Sequence, residues 1–431
     1  MFKALANIFR VADLRRKILF TLLMLVVYRM GTFIPVPGAD SDVLSFQDEA
    51  SAFGFLDTFG GGALGNFSIF AMGVFPYITA SIVVQLLRMD VVPKFTEWSK
   101  QGEAGRRKLA QFTRYFTVVL AFVQALAMSI GFNTQFPGLI PDPSITTYLM
   151  IALIMTAGTT FLMWLGEQIT AQGVGNGISI LIFSGIAAGI PNGVNMIYAT
   201  QIQDQGDQMF MGIVTILLLA LAVLLIIVGV VFVQQAIRKV PIQYAKRVVG
   251  QGNTAGAQST HLPLKVNSAG VIPVIFAMAL FIFPPTVAGF FADTSSAAQW
   301  VVENFNYNNP IGLIFYVGLI IAFTYFYTFV QVNPETMAEN LKKQGGYIPG
   351  VRPGKATELT IRRILYRLTF VGALFLATVS IIPIFFTNQL GLPQQIQIGG
   401  TGLLIVVGVA LDTMKQIEGQ LIKRSYKGFI K

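Results

Sequence analysis

Long apolar stretches recur along the chain, and each is long enough to cross a bilayer as a helix. A spanning helix needs about 20 mostly apolar residues. The sequence predicts ten spans, at 18–34, 67–87, 115–133, 148–165, 178–198, 210–233, 269–290, 311–330, 367–386 and 398–414. Polar segments separate these stretches, which indicates an all-α membrane protein with ten transmembrane helices.

The segments that connect the spans fall into two sets of very different charge. All but one of the 30 Lys and Arg residues lie in one set: the N-terminus, 88–114, 166–177, 234–268, 331–366 with Arg367 beside it, and the C-terminal tail. The other set has no cation and consists of 35–66, 134–147, 199–209, 291–310 and 387–397. By the positive-inside rule the basic set is cytoplasmic, and so are both termini.

Ten spans divide into five and five at the external segment 199–209, which is predicted to be a hinge. The N-terminal half is then 1–198 and the C-terminal half 210–431. Because each half has an odd number of spans, the two halves are inserted with opposite orientation. Inverted halves of this kind are typical of several transporters and channels.

Composition agrees with a lipid environment and excludes several kinds of chemistry. Of 431 residues, 54% are hydrophobic and only 12% are charged, whereas soluble proteins carry about a quarter charged residues. The chain has no Cys and a single His, His261, which excludes disulfides and clustered Cys or His metal ligands. No catalytic constellation is apparent in the spans, so no enzyme activity, metal or cofactor is expected.

The segment 53–66 is apolar, rich in glycine and too short to span the bilayer. It is either a piece that folds back into a cavity from outside or a loop at the membrane interface. Arg29 is the one basic residue inside a predicted span, and its position near a helix end would let it reach the interface.

The cytoplasmic segments 234–268 and 331–366 are long and basic. Their charge can set topology and attract anionic lipids. However, several cations lie far from the span ends, which favours docking of an acidic or nucleic-acid-bearing partner. A secondary transporter with inverted repeats is the main alternative function, although buried charge is nearly absent.

Several strings resemble one known family. They are Pro76-Tyr-Ile-Thr-Ala-Ser-Ile-Val-Val-Gln-Leu-Leu, Gly102-Glu-Ala-Gly-Arg-Arg-Lys, Gly175-Asn-Gly-Ile-Ser and Tyr347-Ile-Pro-Gly-Val-Arg-Pro-Gly. These and others run in order from about residue 14 to the tail, as in the SecY (SecY/Sec61-alpha) family of protein-conducting channels. The resemblance implies two inverted five-helix halves around a central pore that opens sideways to lipid.

The resemblance also implies roles for particular residues. It places a ring of constricting side chains at Val74, Ile78, Ile178, Ile182, Ile275 and Ile405. It identifies 53–66 as a plug, with Phe55, Leu56, Phe59, Gly60, Gly61, Gly62 and Leu64. A lateral gate for signal sequences would include Thr79, Gln85 and Phe283. Aliphatic residues at helical spacing otherwise face lipid or pack helices together.

Partners follow from the same resemblance. The family assembles with the small membrane subunits SecE and SecG, and the two basic loops would dock the SecA motor ATPase or the ribosome through Lys246, Arg247 and Arg352. Signal peptides and unfolded secretory chains would be the substrates, and anionic lipids a further partner. The implied location is the bacterial plasma (inner) membrane.

Overall fold

The computed structural model of the chain describes residues 11–40, 43–44, 57, 60–88, 92–203, 209–244, 259–289, 291, 295–306, 309–390 and 398–427. Most of these residues are helical. The helices are α1 Ala12–Gly31, α2 Phe75–Leu87, α3 Pro93–Lys100, α4 Gly102–Gln135, α5 Ile145–Gln172, α6 Gly177–Tyr198, α7 Met209–Gln235, α8 Ile272–Gly289, α9 Ser296–Asn304, α10 Pro310–Gln331, α11 Pro334–Lys343, α12 Lys355–Leu390 and α13 Ile398–Lys427. The strands are β1 Ile237–Tyr244, β2 Ser259–Lys265 and β3 Gly346–Tyr347.

Ten of the described helices coincide with the predicted spans: α1, α2, α4 to α8, α10, α12 and α13. Six helices in the described part of the chain are long and apolar enough to cross a membrane, and α2 and α8 are apolar but shorter. The fold is therefore that of a mainly helical, multi-pass membrane protein. The short helices α3, α9 and α11 lie in connecting segments.

Helix α2 begins later than the predicted second span, 67–87, because the chain turns sharply just before it. Gly73 has φ +55°, a backbone conformation that side chains other than glycine rarely adopt. Helix α2 starts at Phe75 with Pro76 in its first turn, where the missing proline N–H costs no helical hydrogen bond. Residues 60–74 form turns, so the apolar character of 67–74 does not produce helix.

Other helices run past their predicted ends on the basic side of the molecule. Helix α12 extends from Lys355 to Leu390, well ahead of the predicted span 367–386, and α13 continues to Lys427. These extensions are polar, and hydropathy alone locates only the part of a helix that lies in lipid.

The helices of each half pack mainly against one another. In the first half α4 packs against α2 and α5, and α5 against α6; in the second, α10 packs against α8 and α12, and α13 against α7 and α12. The halves contact each other where α2 meets α8 and where α6 meets α13. One buried apolar cluster crosses this boundary and includes Val74, Ile182, Ile275 and Leu404.

The described parts of the two basic loops form one small folded unit, which the sequence did not predict. Strand β1 pairs antiparallel with β2, from Ile237 opposite Lys265 to Gln243 opposite Ser259, and also with β3. The sheet order is therefore β2-β1-β3. Val240 and Ile242, two residues apart on β1, are buried on one face, as strand periodicity requires. They share a core with Ile361 and Leu365 of α12.

Candidate pore and closing segment

Four of the six residues expected in the ring surround one small cavity between α2, α6 and α8. Val74, Ile78, Ile182 and Ile275 line it, and its volume is about 10 Å³. A void of this size holds at most one water molecule. The side chains of these four residues offer such a water no hydrogen bonds, so this part of the lining favours a dry state.

The other two expected ring residues lie close by without lining the cavity. Ile405 of α13 is fully buried, and Ile178 at the start of α6 is half-buried. Both pack in the same apolar cluster as the four lining residues. The structure thus brings all six into one cluster and four of them to the constriction.

A repeated six-residue pattern positions two of the helices that bear lining residues. Gly73-Val-Phe-Pro-Tyr-Ile78 precedes and starts α2, and Gly270-Val-Ile-Pro-Val-Ile275 precedes and starts α8. In both, the glycine has positive φ, +55° at Gly73 and +65° at Gly270. Both patterns therefore turn the chain and start a helix so that the isoleucine at the end of the pattern, Ile78 or Ile275, reaches the cavity. Comparison of the two halves would have revealed this signal, and with it Val271, the buried counterpart of Val74.

The start of α6 is fixed by close backbone contact with α5. A Cβ on Gly177 would overlap the carbonyl of Gly166, so only glycine permits this approach. The backbone N–H of Gly177 donates to the Thr170 hydroxyl at 2.8 Å. These contacts hold the first turns of α6, including Ile182, against the rest of the first half.

The structure describes Asp57 and Gly60–Asn66 of the expected plug, and Gly60–Asn66 is a series of turns that is largely buried. Gly60 lines the cavity beside the ring residues. Leu64 is 1% exposed and packs in a second core cluster with Phe67 and Val36. Phe55, Leu56 and Phe59 lie outside the described residues. We call Gly60–Asn66 the closing segment.

Contacts with the last turn of α1 hold the closing segment in place. The Tyr28 hydroxyl donates to the Gly60 carbonyl at 2.9 Å, and the Arg29 guanidinium donates to the Gly61 carbonyl. The Asn66 amide donates to the Thr32 carbonyl at 3.2 Å. Arg29 therefore turns towards the closing segment, in addition to lying over the Phe33 ring at 4.9 Å.

The carboxylate of Asp57, just ahead of the closing segment, binds a backbone amide within the segment. One Asp57 oxygen accepts a hydrogen bond from the Gly65 amide at 2.7 Å. Burial raises the pKa of Asp57, while hydrogen bonds from the amides of Gly65 and Leu64 and the nearby Arg29 charge oppose that rise. The hydrogen bond with Asp57 thus stabilises the closing segment in addition to side-chain packing.

The expected gate residues lie along the two helices that join the halves. The Thr79 hydroxyl donates to the Phe75 carbonyl of its own helix at 3.1 Å, and the Gln85 amide donates to Ser81 at 3.2 Å. Phe283 of α8 is 48% exposed. Thr79 and Gln85 thus lie on α2 and Phe283 on α8, the two helices that contact each other across the boundary between the halves.

Of the expected docking residues, the structure describes Arg352, which is exposed in the turn before α12. Lys246 and Arg247 lie outside the described residues, in the connection between β1 and β2. The end of β1 lies beside β3, where Tyr347 donates to Gln243 at 3.2 Å. The sheet therefore joins the two basic loops. Within the described residues, no group of His, Cys, Asp and Glu could hold a metal ion.

Comparison with known proteins identifies the family. The SecY family model matches residues 68–414. The protein translocase subunit SecY of Halalkalibacterium halodurans is 75% identical over 431 residues and that of Bacillus subtilis 64% over 432 residues, with all of both chains covered in each case.

Solved structures share the fold at low sequence identity. A protein-conducting channel has a TM-score of 0.67 and 19% identity, covering 97% of this chain and 95% of its own. Sec61 in a canine ribosome-channel complex has a TM-score of 0.63 and 18% identity, covering 97% and 95%. The match to the family model and the identity to full-length relatives show that the chain belongs to the SecY family.

Proposed function

We propose that the chain conducts unfolded polypeptides across the plasma membrane through the constriction between its halves, and releases transmembrane segments between α2 and α8. As a SecY family member it is a protein translocase channel subunit rather than an enzyme. The observation that carries the proposal is the cavity of about 10 Å³ lined by Val74, Ile78, Ile182 and Ile275.

An apolar constriction of this size suits a channel that must remain sealed at rest. Water in a narrow aliphatic ring lacks hydrogen-bond partners, so the ring excludes ions together with their hydration shells. Aliphatic side chains also have no fixed polar partners that would hold a passing polypeptide. A secondary transporter would instead need a site for its solute, and this cavity is too small for one.

The proposed assembly includes the small subunits SecE and SecG, with SecA or the ribosome on the basic side. The described strands β1 and β2 carry Arg238, Lys239 and Lys265 and no acidic residue. Such a surface attracts acidic protein or nucleic-acid phosphate. In this arrangement both termini and the sheet face the cytoplasm, and the closing segment faces the exterior.

Crosslinking of an arrested export intermediate tests the pathway, because the natural chain has no Cys. Cysteine in place of Ile78 or Ile275 should crosslink to a secretory chain stalled in transit. Cysteine in place of Leu221, which is 54% exposed on α7, is the matched control and should not react. Capture at Leu221 without capture at either ring position would refute the proposed path.

Exchange of one exposed cation tests the docking surface. Arg352→Glu should weaken binding of SecA or ribosomes and slow export, because it reverses charge on the exposed turn. Stability should change little, since the Arg352 carbonyl, not its side chain, accepts the hydrogen bond from Thr357. Unchanged affinity for both partners would contradict this assignment.

A further inference from the structure

The last turn of α1 presents two hydrogen-bond donors to the closing segment directly beside the constriction. Tyr28 and Gly60 both line the cavity, and the Tyr28 hydroxyl binds the Gly60 carbonyl at 2.9 Å. The residues that follow them make the second contact: the Arg29 guanidinium donates to the Gly61 carbonyl. Two consecutive residues of α1 thus donate hydrogen bonds to the carbonyls of two consecutive residues of the closing segment.

These contacts explain how a basic residue, Arg29, is tolerated inside a predicted span. It is the one basic residue inside a predicted span, and the segments on that side of the membrane contain no other cation. A cation at membrane depth is costly unless a polar group accepts its hydrogen bonds. The Gly61 carbonyl supplies such an acceptor, and hydrogen bonds from a charged donor are stronger than those between neutral groups.

Both the backbone conformation and the space at position 61 favour glycine. Its φ is +69°, and a Cβ there would lie 3.1 Å from the Arg29 guanidinium and 3.1 Å from the Cα of Gly185 on α6. The closing segment is therefore held between α1 and α6, both of which belong to the first half. Its hydrogen bonds with Tyr28, Arg29 and Thr32 all stay within that half as well.

We infer that Tyr28 and Arg29 form a latch, in which their hydrogen bonds to the Gly60 and Gly61 carbonyls hold the closing segment beside the ring and keep the resting channel sealed. This inference rests on the proposed function. Because both sides of the latch belong to the first half, separation of α2 from α8 leaves it intact. The polypeptide that enters the pore has to displace the segment and break these bonds.

Resting ion conductance in planar bilayers tests the latch. Arg29→Met keeps an unbranched, flexible side chain but removes its charge and its donors, and should raise the resting leak about tenfold or more, the effect of losing a charge-assisted hydrogen bond. Arg29→Lys keeps a cationic donor and should leak much less than Arg29→Met. Tyr28→Phe removes one hydroxyl and should leak less than Arg29→Met but more than the natural protein.

Tyr148→Phe is the matched control for the hydroxyl. The Tyr148 oxygen accepts a hydrogen bond from Asn133 at 2.8 Å, between α4 and α5 and away from the cavity. This variant loses the same chemical group and should stay sealed. Because Arg29→Met removes a charge from a span, it should not impair membrane insertion.

Deletion of residues 57–65 distinguishes failure of the latch from failure of the proposed channel function. The deletion should leak, and adding Arg29→Met to it should cause no further increase, because the latch then has nothing to hold. If the deletion leaks and Arg29→Met alone stays sealed, the latch is refuted while the channel function stands. If Arg29→Met adds its full effect to the deletion, Arg29 acts elsewhere and the inference is also refuted. A sealed deletion variant would overturn the closing role of the segment itself.

Discussion

Helices α2 and α8 begin with the same pattern, Gly-Val-x-Pro-x-Ile, but different structures precede them. Helix α2 follows the closing segment, which is bound to α1. Helix α8 follows β2, and the Asn267 amide donates to the Gly270 carbonyl at 3.0 Å in the short connection. By the predicted threading the two helices enter the membrane from opposite sides. One pattern thus starts a helix in each half and brings an isoleucine to the cavity, although the structures that precede the pattern differ.

The glycines of the two patterns are required for conformation rather than for space. A Cβ added at Gly73 would have Phe75 Cδ2 as its nearest neighbour, at 3.9 Å, and a Cβ added at Gly270 would have Asp412 Oδ2, at 3.7 Å. These are ordinary contact distances, yet both glycines have positive φ. Gly408 is the opposite case, because a Cβ there would overlap Val271 of the second pattern.

The largest effect is expected when one ring residue at a time is made polar. Ile78→Asn and Ile275→Asn should each raise the resting leak by about one to two orders of magnitude, because a buried amide favours hydration of the constriction. Equivalent positions should give similar leaks in planar bilayers. Ile314→Asn is the control, since Ile314 is 72% exposed on α10. A leak from only one of the two ring variants would show that the two patterns do not contribute equally.

A smaller effect is expected at Gly408. Of the two patterns, only the second has a described glycine packed tightly against it. Gly408→Ala should lower the free energy of unfolding by about 1–3 kcal/mol, because the added methyl overlaps Val271. Gly419→Ala in the same helix has nothing within 4 Å of the added carbon and should be neutral or stabilising. Denaturant titration of the purified proteins in detergent measures both, and equal stability of the two variants would contradict tight packing at Gly408.

The smallest effect concerns the two turns themselves. Gly73→Ala and Gly270→Ala should each destabilise the protein by about 1–2 kcal/mol, because an L-residue is strained at positive φ. Gly193→Ala, in helix α6 with open space around it, controls for the loss of a glycine as such. Similar losses of unfolding free energy at both positions in the same denaturant titration would show that the two turns are equivalent. No cost at either would show that the chain relaxes easily to another turn.

The mainly helical, multi-pass fold could be predicted because it depends on properties that sequence displays directly, and the side on which each connecting segment lies stays a prediction. Apolar stretches locate the spans, and Lys and Arg show which connecting segments lie on one side. The start of α2 could not be located in this way, since 67–74 is as apolar as a helix in lipid. Its turn depends on Gly73 and Pro76, whose effect on the backbone does not alter hydropathy.

Only part of the candidate site could be predicted from the sequence. Ile78 and Ile182 look like any lipid-facing aliphatic residues, and only the family resemblance distinguished them. The sequence suggested that Arg29 could reach the membrane interface, whereas its partner in the structure is the Gly61 carbonyl. Every residue has such a carbonyl, so no pattern of side chains identifies this one. The strands β1 and β2 were missed because their alternation is short and lies between charged residues.

The shared core of the sheet and α12 has a mechanical consequence. Val240 and Leu264 of the sheet pack with Ile361 and Leu365 of α12, so the sheet is anchored to the second half. Strand β2 also leads through a short connection into α8. Under the proposed function, a partner that pushes on the sheet acts on α12 and α8 of the second half, while the closing segment of the first half stays bound to α1. Force applied from the basic side should thus displace the two halves relative to each other.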